Sequence, residues 1–226
     1  MALAKFLCRL FCSNKKQQAV FAENKEDSIS PQMKYLIAGL GNIGLEYART
    51  RHNMGFMVLD KWAQDDPDAM FKTERYGDVA CIKYKGRQLW LLKPSTYMNL
   101  SGNAIRYWLD KLGIPSENLI VICDDLNLPF GVTRMKTQGS DGGHNGLKHI
   151  TQILGNSHFT RIRIGIGNDF SKGEQIDFVL GKLSEEELAT IPDIASKLLS
   201  GLKTYVFEGA EKAMNAINTR SNAVKS

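Results

Sequence analysis

The chain has 226 residues, 43% of them hydrophobic, which suits one α/β domain with a sizeable core. No apolar run reaches the length of a membrane span. The formal net charge of +5 favours a polyanionic partner, RNA or a membrane surface, without naming which.

Residues 1–32 differ from the rest. Met1 to Lys16 is basic and apolar without an acid, and Gln17 to Gln32 is polar and charged. A secretory signal needs an unbroken apolar stretch and a small-residue cleavage site. Lys5 and Arg9 interrupt the stretch from Leu3 to Cys12, so a poorly ordered extension is expected, with one α/β domain over residues 33–226.

From Met33 the pattern alternates between strand and helix. Strands are expected over residues 35–40, 79–84, 88–92, 119–123, 132–136 and 161–167, with Lys85-Gly86 turning a hairpin between the second and third. Helices are expected over 51–64, 103–112, 146–154, 185–200 and about 204–216. Interleaved strands and helices imply a mixed, mostly parallel twisted sheet with helices on both faces.

Gly39-Leu40-Gly41-Asn42-Ile43-Gly44 closes the first strand in the manner of a dinucleotide-binding fingerprint. That reading also needs a second strand ending in an acid about 20 positions later. The acid at that distance is Asp60, which lies in the helical pattern Phe56-Met57-Val58-Leu59-Asp60-Lys61-Trp62-Ala63. Nucleotide binding therefore lacks its second half.

Cys8, Cys12, Cys81 and Cys123 have no metal-ligand spacing. Cys81 and Cys123 sit in apolar runs and are expected in the core. His52, His144, His149 and His158 are scattered, so no metal site is expected. A reducing cytoplasm is the simpler setting.

Polar residues collect at strand ends. Asn42 follows the first strand, Asn99 lies just past another, Asp124 and Asp125 end Leu119-Ile120-Val121-Ile122-Cys123, and His144-Asn145 opens a helix. Ligands of open α/β sheets bind beyond the carboxyl ends of the strands. Each residue also has a local explanation. Asn forms turns, Asp caps, and His144 orders the loop Gly139-Ser140-Asp141-Gly142-Gly143. All these local explanations would have to hold together at one end of one sheet.

Five blocks carry a resemblance: Gly39-Leu40-Gly41-Asn42-x-Gly44-x-Glu46-Tyr47, Thr50-Arg51-His52-Asn53-x-Gly55, Met98-Asn99-x-Ser101-Gly102, Asp124-Asp125-Leu126 and Gly142-Gly143-His144-Asn145-Gly146-Leu147. Phe159-x-Arg161-Ile162-Arg163-Ile164-Gly165-Ile166-Gly167 and Phe178-Val179-Leu180-Gly181 extend it. In that order they resemble the bacterial peptidyl-tRNA hydrolase family, from about Met33 to the C-terminal helix. The departures are Ile43 where the family usually has proline, Asn127 where an acid is common, and Asp141 where a histidine is common.

The resemblance implies hydrolysis of the ester joining a peptide to the terminal ribose of tRNA, releasing both and recycling tRNA from aborted translation. It implies no cofactor and no metal. His52 matches the base, Asp124 its orienting carboxylate, and Asn42 the amide that tells a blocked peptide nitrogen from a free α-amine. Asn99 and Asn145 match binders of the peptidyl-tRNA end. Tyr47 and Tyr97 match contacts to the terminal nucleotide or nearby backbone, although each also reads as an ordinary half-buried tyrosine. Histidine suits the base role because its unperturbed pKa lies nearest working pH.

Phosphate contacts that accept many tRNAs should be cationic and blind to sequence. Arg134, Lys136, Lys148 and Arg161 are the candidates, with Arg163 alternatively held within the sheet. A cytoplasmic monomer with no membrane and no obligate protein partner is expected. The competing readings are a nucleotide-dependent oxidoreductase and a passive RNA-binding module.

Overall fold

A computed structural model describes residues 33–218; the expected extension over residues 1–32 lies outside them. Its seven strands are β1 (Lys34–Gly39), β2 (Lys72–Glu74), β3 (Gly77–Tyr84), β4 (Arg87–Pro94), β5 (Leu119–Asp125), β6 (Thr133–Lys136) and β7 (Thr160–Gly165). They form one sheet in the order β2-β3-β4-β1-β5-β7-β6. The pairings among β4, β1, β5 and β7 are parallel. Antiparallel neighbours complete both sides, β3 and β2 on one and β6 on the other.

The helices are α1 (Met54–Asp65), α2 (Ser101–Leu112), α3 (Asn145–Leu154), α4 (Gln175–Leu180), α5 (Glu185–Ala189), α6 (Ile191–Glu208) and α7 (Ala210–Ile217). They cover both sheet faces, and β1 is buried on each. Tyr35 and Ile37 join a core with Val58, Trp62, Leu198 and Ile217. Leu36 and Ala38 join another with Ile105, Trp108, Leu147 and Ile150. Alternation along one strand thus feeds two cores, as a sheet covered on both sides requires. Among the described residues no helix is long and apolar enough to cross a membrane.

The β3–β4 hairpin turns through Lys85 and Gly86, whose φ values of 45° and 77° supply the positive pair of a two-residue loop. The C-terminal helices differ from the expected pair. The break falls at Gly209, with φ 90°, and a separate helix starts near Pro192, which occupies the first turn of α6. The helix expected over 51–64 opens with a 3₁₀ turn, Arg51–Asn53, before α1.

Close backbone approach explains Gly39 and Gly55. A Cβ on Gly55, in the first turn of α1, would sit 2.6 Å from the Ile122 carbonyl oxygen, and one on Gly39 would sit 2.7 Å from the Gly55 carbonyl carbon. These glycines let α1 lie directly on the ends of β1 and β5. Asp60, on the same helix, is tied to Lys93 at 2.6 Å.

Candidate active site

The turn Thr50-Arg51-His52-Asn53 is fixed residue by residue. Thr50 Oγ1 donates to the Tyr47 carbonyl at 2.8 Å. The Arg51 guanidinium donates to both Glu187 carboxylate oxygens, at 3.0 and 2.9 Å, and lies 4.6 Å from the centre of the Phe178 ring. Asn53 and Asn42 bond reciprocally: Asn42 N–H donates to Asn53 Oδ1 at 2.8 Å, and Asn53 Nδ2 donates to the Asn42 carbonyl at 3.0 Å. What remains free to face the sheet ends is His52.

His52 Nδ1 lies 2.9 and 3.0 Å from the two carboxylate oxygens of Asp124, at the end of β5. The Asp124 side chain is 4% exposed. Burial alone would raise its pKa. The positive charge that His144 carries when protonated, the hydrogen bonds from His144 and His52, and the charge that His52 carries when protonated outweigh burial and hold the carboxyl well below the usual carboxylate range. An ionised carboxylate only accepts, so His52 donates from Nδ1 and keeps its lone pair on Nε2.

His144, read from sequence both as one of the polar residues at the strand ends and as a residue ordering its glycine loop, does both. It caps α3, its Nδ1 accepting from the N–H groups of Gly146 and Leu147 at 3.2 and 3.3 Å. Its Nε2 therefore carries the proton and donates to Asp124 Oδ1 at 3.1 Å. The ring centres of the two histidines are 5.1 Å apart. One buried carboxylate thus sets the tautomer of one histidine and receives the fixed tautomer of another. The glycines before His144 carry the only local signal: a loop opening a helix needs a capping acceptor, and imidazole supplies one.

One nitrogen of each histidine and a carboxylate oxygen of Asp124 lie within 4.8 Å of one another, a donor set that a divalent transition metal accepts. The helix cap opposes that use. Metal on His144 Nε2 would move the ring proton to Nδ1, against two backbone N–H donors. The distances instead match N–H···O hydrogen bonds.

His52, Asp124, His144 and Asn145 line one cleft of about 370 Å³. Its other wall includes Phe170 and, from α4, Ile176 and Val179. The six residues of α4 were too few to announce themselves by periodicity. Asn127 also lines the cleft, its backbone N–H bonded to Asp125 Oδ1 at 2.8 Å, while Asp141 accepts from Gly143 N–H at 2.8 Å.

The remaining amides and tyrosines lie outside that lining. Asn42 is buried, and its Oδ1 accepts from Met98 N–H at 2.9 Å, joining the loop after β1 to the loop after β4. Asn99 is exposed in the 3₁₀ turn Met98–Leu100, Tyr47 is half-buried in the turn Leu45–Tyr47, and Tyr97 is 61% exposed.

A second cavity of about 200 Å³ is lined by Arg134, Lys136, Arg161 and Arg163, and shares Asp125, Asn127 and Arg163 with the cleft. Arg134 and Lys136 alternate outward along β6. Lys148 is exposed on α3. Arg161 departs from the expected phosphate contact: it is 1% exposed and donates to the carbonyl groups of Gly139, Ser140 and Ser157. It braces the glycine loop from inside the sheet. Arg163 is held by Asp125 at 3.0 Å and by the Ser140 carbonyl at 2.8 Å. Cys123 is buried, with its thiol pushed up by burial.

The family model for peptidyl-tRNA hydrolase matches residues 36–225. The chain belongs to that family. A peptidyl-tRNA hydrolase of Cytophaga hutchinsonii is 52% identical over 188 residues, which are 83% of this chain and all of that protein. One from Phocaeicola vulgatus is 54% identical over the same extents. The crystal structure of peptidyl-tRNA hydrolase from Acinetobacter baumannii superposes with a TM-score of 0.76 at 37% identity, covering 82% of this chain and 94% of that one. Within a family of hydrolases, the His52–Asp124–His144 group, built on a buried carboxylate and lining the cleft, acquires a chemical context.

Proposed function

We propose that this chain hydrolyses the ester between a peptide and the terminal ribose of tRNA, with His52 as general base and no metal. The observation that carries the reading is the His52–Asp124 contact, in which an ionised carboxylate holds His52 as the tautomer with a free Nε2. Nε2 takes a proton from water as the water oxygen attacks the ester carbonyl carbon. The tetrahedral intermediate then expels the ribose oxygen, which receives the proton back. Asp124 stabilises the intervening imidazolium, and His144 keeps Asp124 in place.

Asn42 supports discrimination at the acyl end. With Oδ1 accepting from Met98, Nδ2 is its remaining donor. A donor suits the carbonyl group of a blocked amine and conflicts with a free ammonium. Asn145 on the cleft and exposed Asn99 would bind the peptidyl end, with Tyr47 and Tyr97 offering ring faces to the terminal base. Arg134, Lys136 and exposed Lys148 would meet backbone phosphates. A monomer working in the cytoplasm, with no obligate protein partner, fits this task.

The test compares N-acetyl-aminoacyl-tRNA with free aminoacyl-tRNA, before and after exhaustive chelation. Rapid release from the blocked substrate alone, unchanged by chelation, is expected. His52→Ala should keep fold and tRNA binding while turnover falls about 10²-fold or more. Activity restored only by a divalent ion would replace the His base with metal-activated water. A folded His52→Ala chain with near-normal turnover would remove His52 from the role.

A further inference from the structure

Helix α3 has a second histidine that uses its lone pair structurally. His149 Nδ1 accepts from the backbone N–H of Gly102, the second residue of α2, at 3.0 Å. The first turn of a helix leaves N–H groups without intrahelical partners. The residue preceding α2, Leu100, has no side-chain acceptor to supply one. Ser101 does not supply one either, since its hydroxyl donates to the Met98 carbonyl at 2.8 Å. His149 caps α2 from another helix.

The packing leaves little slack. A Cβ on Gly102 would sit 2.8 Å from both His149 Nδ1 and the His149 carbonyl oxygen. Immediately before α2 runs the turn Met98–Leu100, which contains Asn99 and donates Met98 N–H to Asn42 Oδ1. The path from His149 to the Asn42 amide thus passes through one backbone turn and two hydrogen bonds. At the other end of the same stretch of α3, His144 grips Asp124.

We propose that His149 is a positioning residue for hydrolysis: its unprotonated Nδ1 locks the 98–102 turn, so that the Asn42 and Asn99 amides meet the acyl end in register with the His52–Asp124 pair. It touches no reacting atom and acts through the turn. Displacements of about 1 Å at such a distance are enough to cost orders of magnitude in rate.

The inference rests on the esterase reading above, and the test separates the two. His149→Leu keeps bulk without an acceptor; His149→Asn places Oδ1 near the position of Nδ1. On N-acetyl-aminoacyl-tRNA, His149→Leu should lower kcat about tenfold with KM moving less than threefold, and His149→Asn should recover most of the loss. Hydrogen exchange at the Gly102 amide should be slow in the wild type and His149→Asn, and faster in His149→Leu. Equal kcat in folded His149→Leu and wild type, or an asparagine variant no better than leucine, overturns the proposal. So does a Gly102 amide unprotected in the wild type, a measurement that stands even if the leucine variant does not fold. An inactive wild type would instead sink the esterase reading.

Discussion

Asp124→Asn is the sharpest probe of the site, because the two histidines constrain where the new amide can point. His144 Nε2 must donate, since its Nδ1 already caps α3. The amide therefore keeps Oδ1 toward His144 and turns Nδ2 to the position of Oδ2, 3.0 Å from His52 Nδ1 in the wild type. That contact favours the His52 tautomer with its lone pair on Nδ1, which leaves Nε2 protonated and useless as a base. The charge that stabilised the imidazolium also disappears. At roughly 4 Å and an effective dielectric constant of about 20, it is worth about 4 kcal/mol, or on the order of 10³ in rate. Turnover of N-acetyl-aminoacyl-tRNA, followed by release of free tRNA, should fall by roughly 10²–10⁴-fold, with tRNA binding preserved. A folded Asp124→Asn chain within about threefold of wild type would refute the tautomer reasoning.

Three further outcomes follow from the same geometry. Replacing Arg134 and Lys136 with alanine should weaken tRNA binding and lower its salt slope by roughly 0.7–0.9 per lost contact. Turnover of a blocked amino acid on a short CCA fragment should change little, while Asn42→Ala should show the reverse; equal loss on both substrates would refute the division. Arg161→Ala should act on stability instead. Losing the hydrogen bonds of its buried guanidinium to three loop carbonyls costs on the order of 3 kcal/mol in total, a fall in Tm of roughly 6–12 °C, and a changed salt slope with unchanged Tm would count against the bracing role. Finally, the folded Asp124 pKa is depressed, so its stabilisation is complete above the unfolded value of about 3.9 and is lost as pH falls through the lower folded value. The stability difference between wild type and Asp124→Asn, read by denaturant titration, should shrink below about pH 4; a gap that widens there would contradict it.

Much of the fold was legible because its parallel strands are apolar runs bounded by turn residues. β2 was not: all three of its residues are exposed, so no burial pattern marks it. The two arginine candidates for phosphate contact show where side-chain periodicity fails. On β6 burial alternates, and Arg134 falls on the open face. On β7 both faces are covered, so Arg161 is buried although its neighbours give no sign of it. Lys136 and Arg161 even pair in register, yet one meets solvent and the other three carbonyl groups. His144 was only partly legible: it was placed with Asp124 among the polar residues at strand ends, but not as its bonding partner. Its cap is local, but its bond to Asp124 depends on where β5 ends relative to α3, a tertiary relation that spacing does not encode.

The contact between Gly39 and Gly55 bears on how a glycine fingerprint is read anywhere. Here the Cβ that Gly39 lacks would meet the Gly55 backbone, and the one that Gly41 lacks would meet the Phe56 ring of the same helix. The stretch that would admit a pyrophosphate in one protein admits a helix in this one, and that helix follows directly from the turn bearing His52. Whether Gly-x-Gly-x-x-Gly after a strand signals a nucleotide is therefore decided by what fills the space of the absent Cβ. Alanine at Gly55 tests it without any cofactor: the helix must lift from Ile122, and His52 should be drawn away from Asp124 with it.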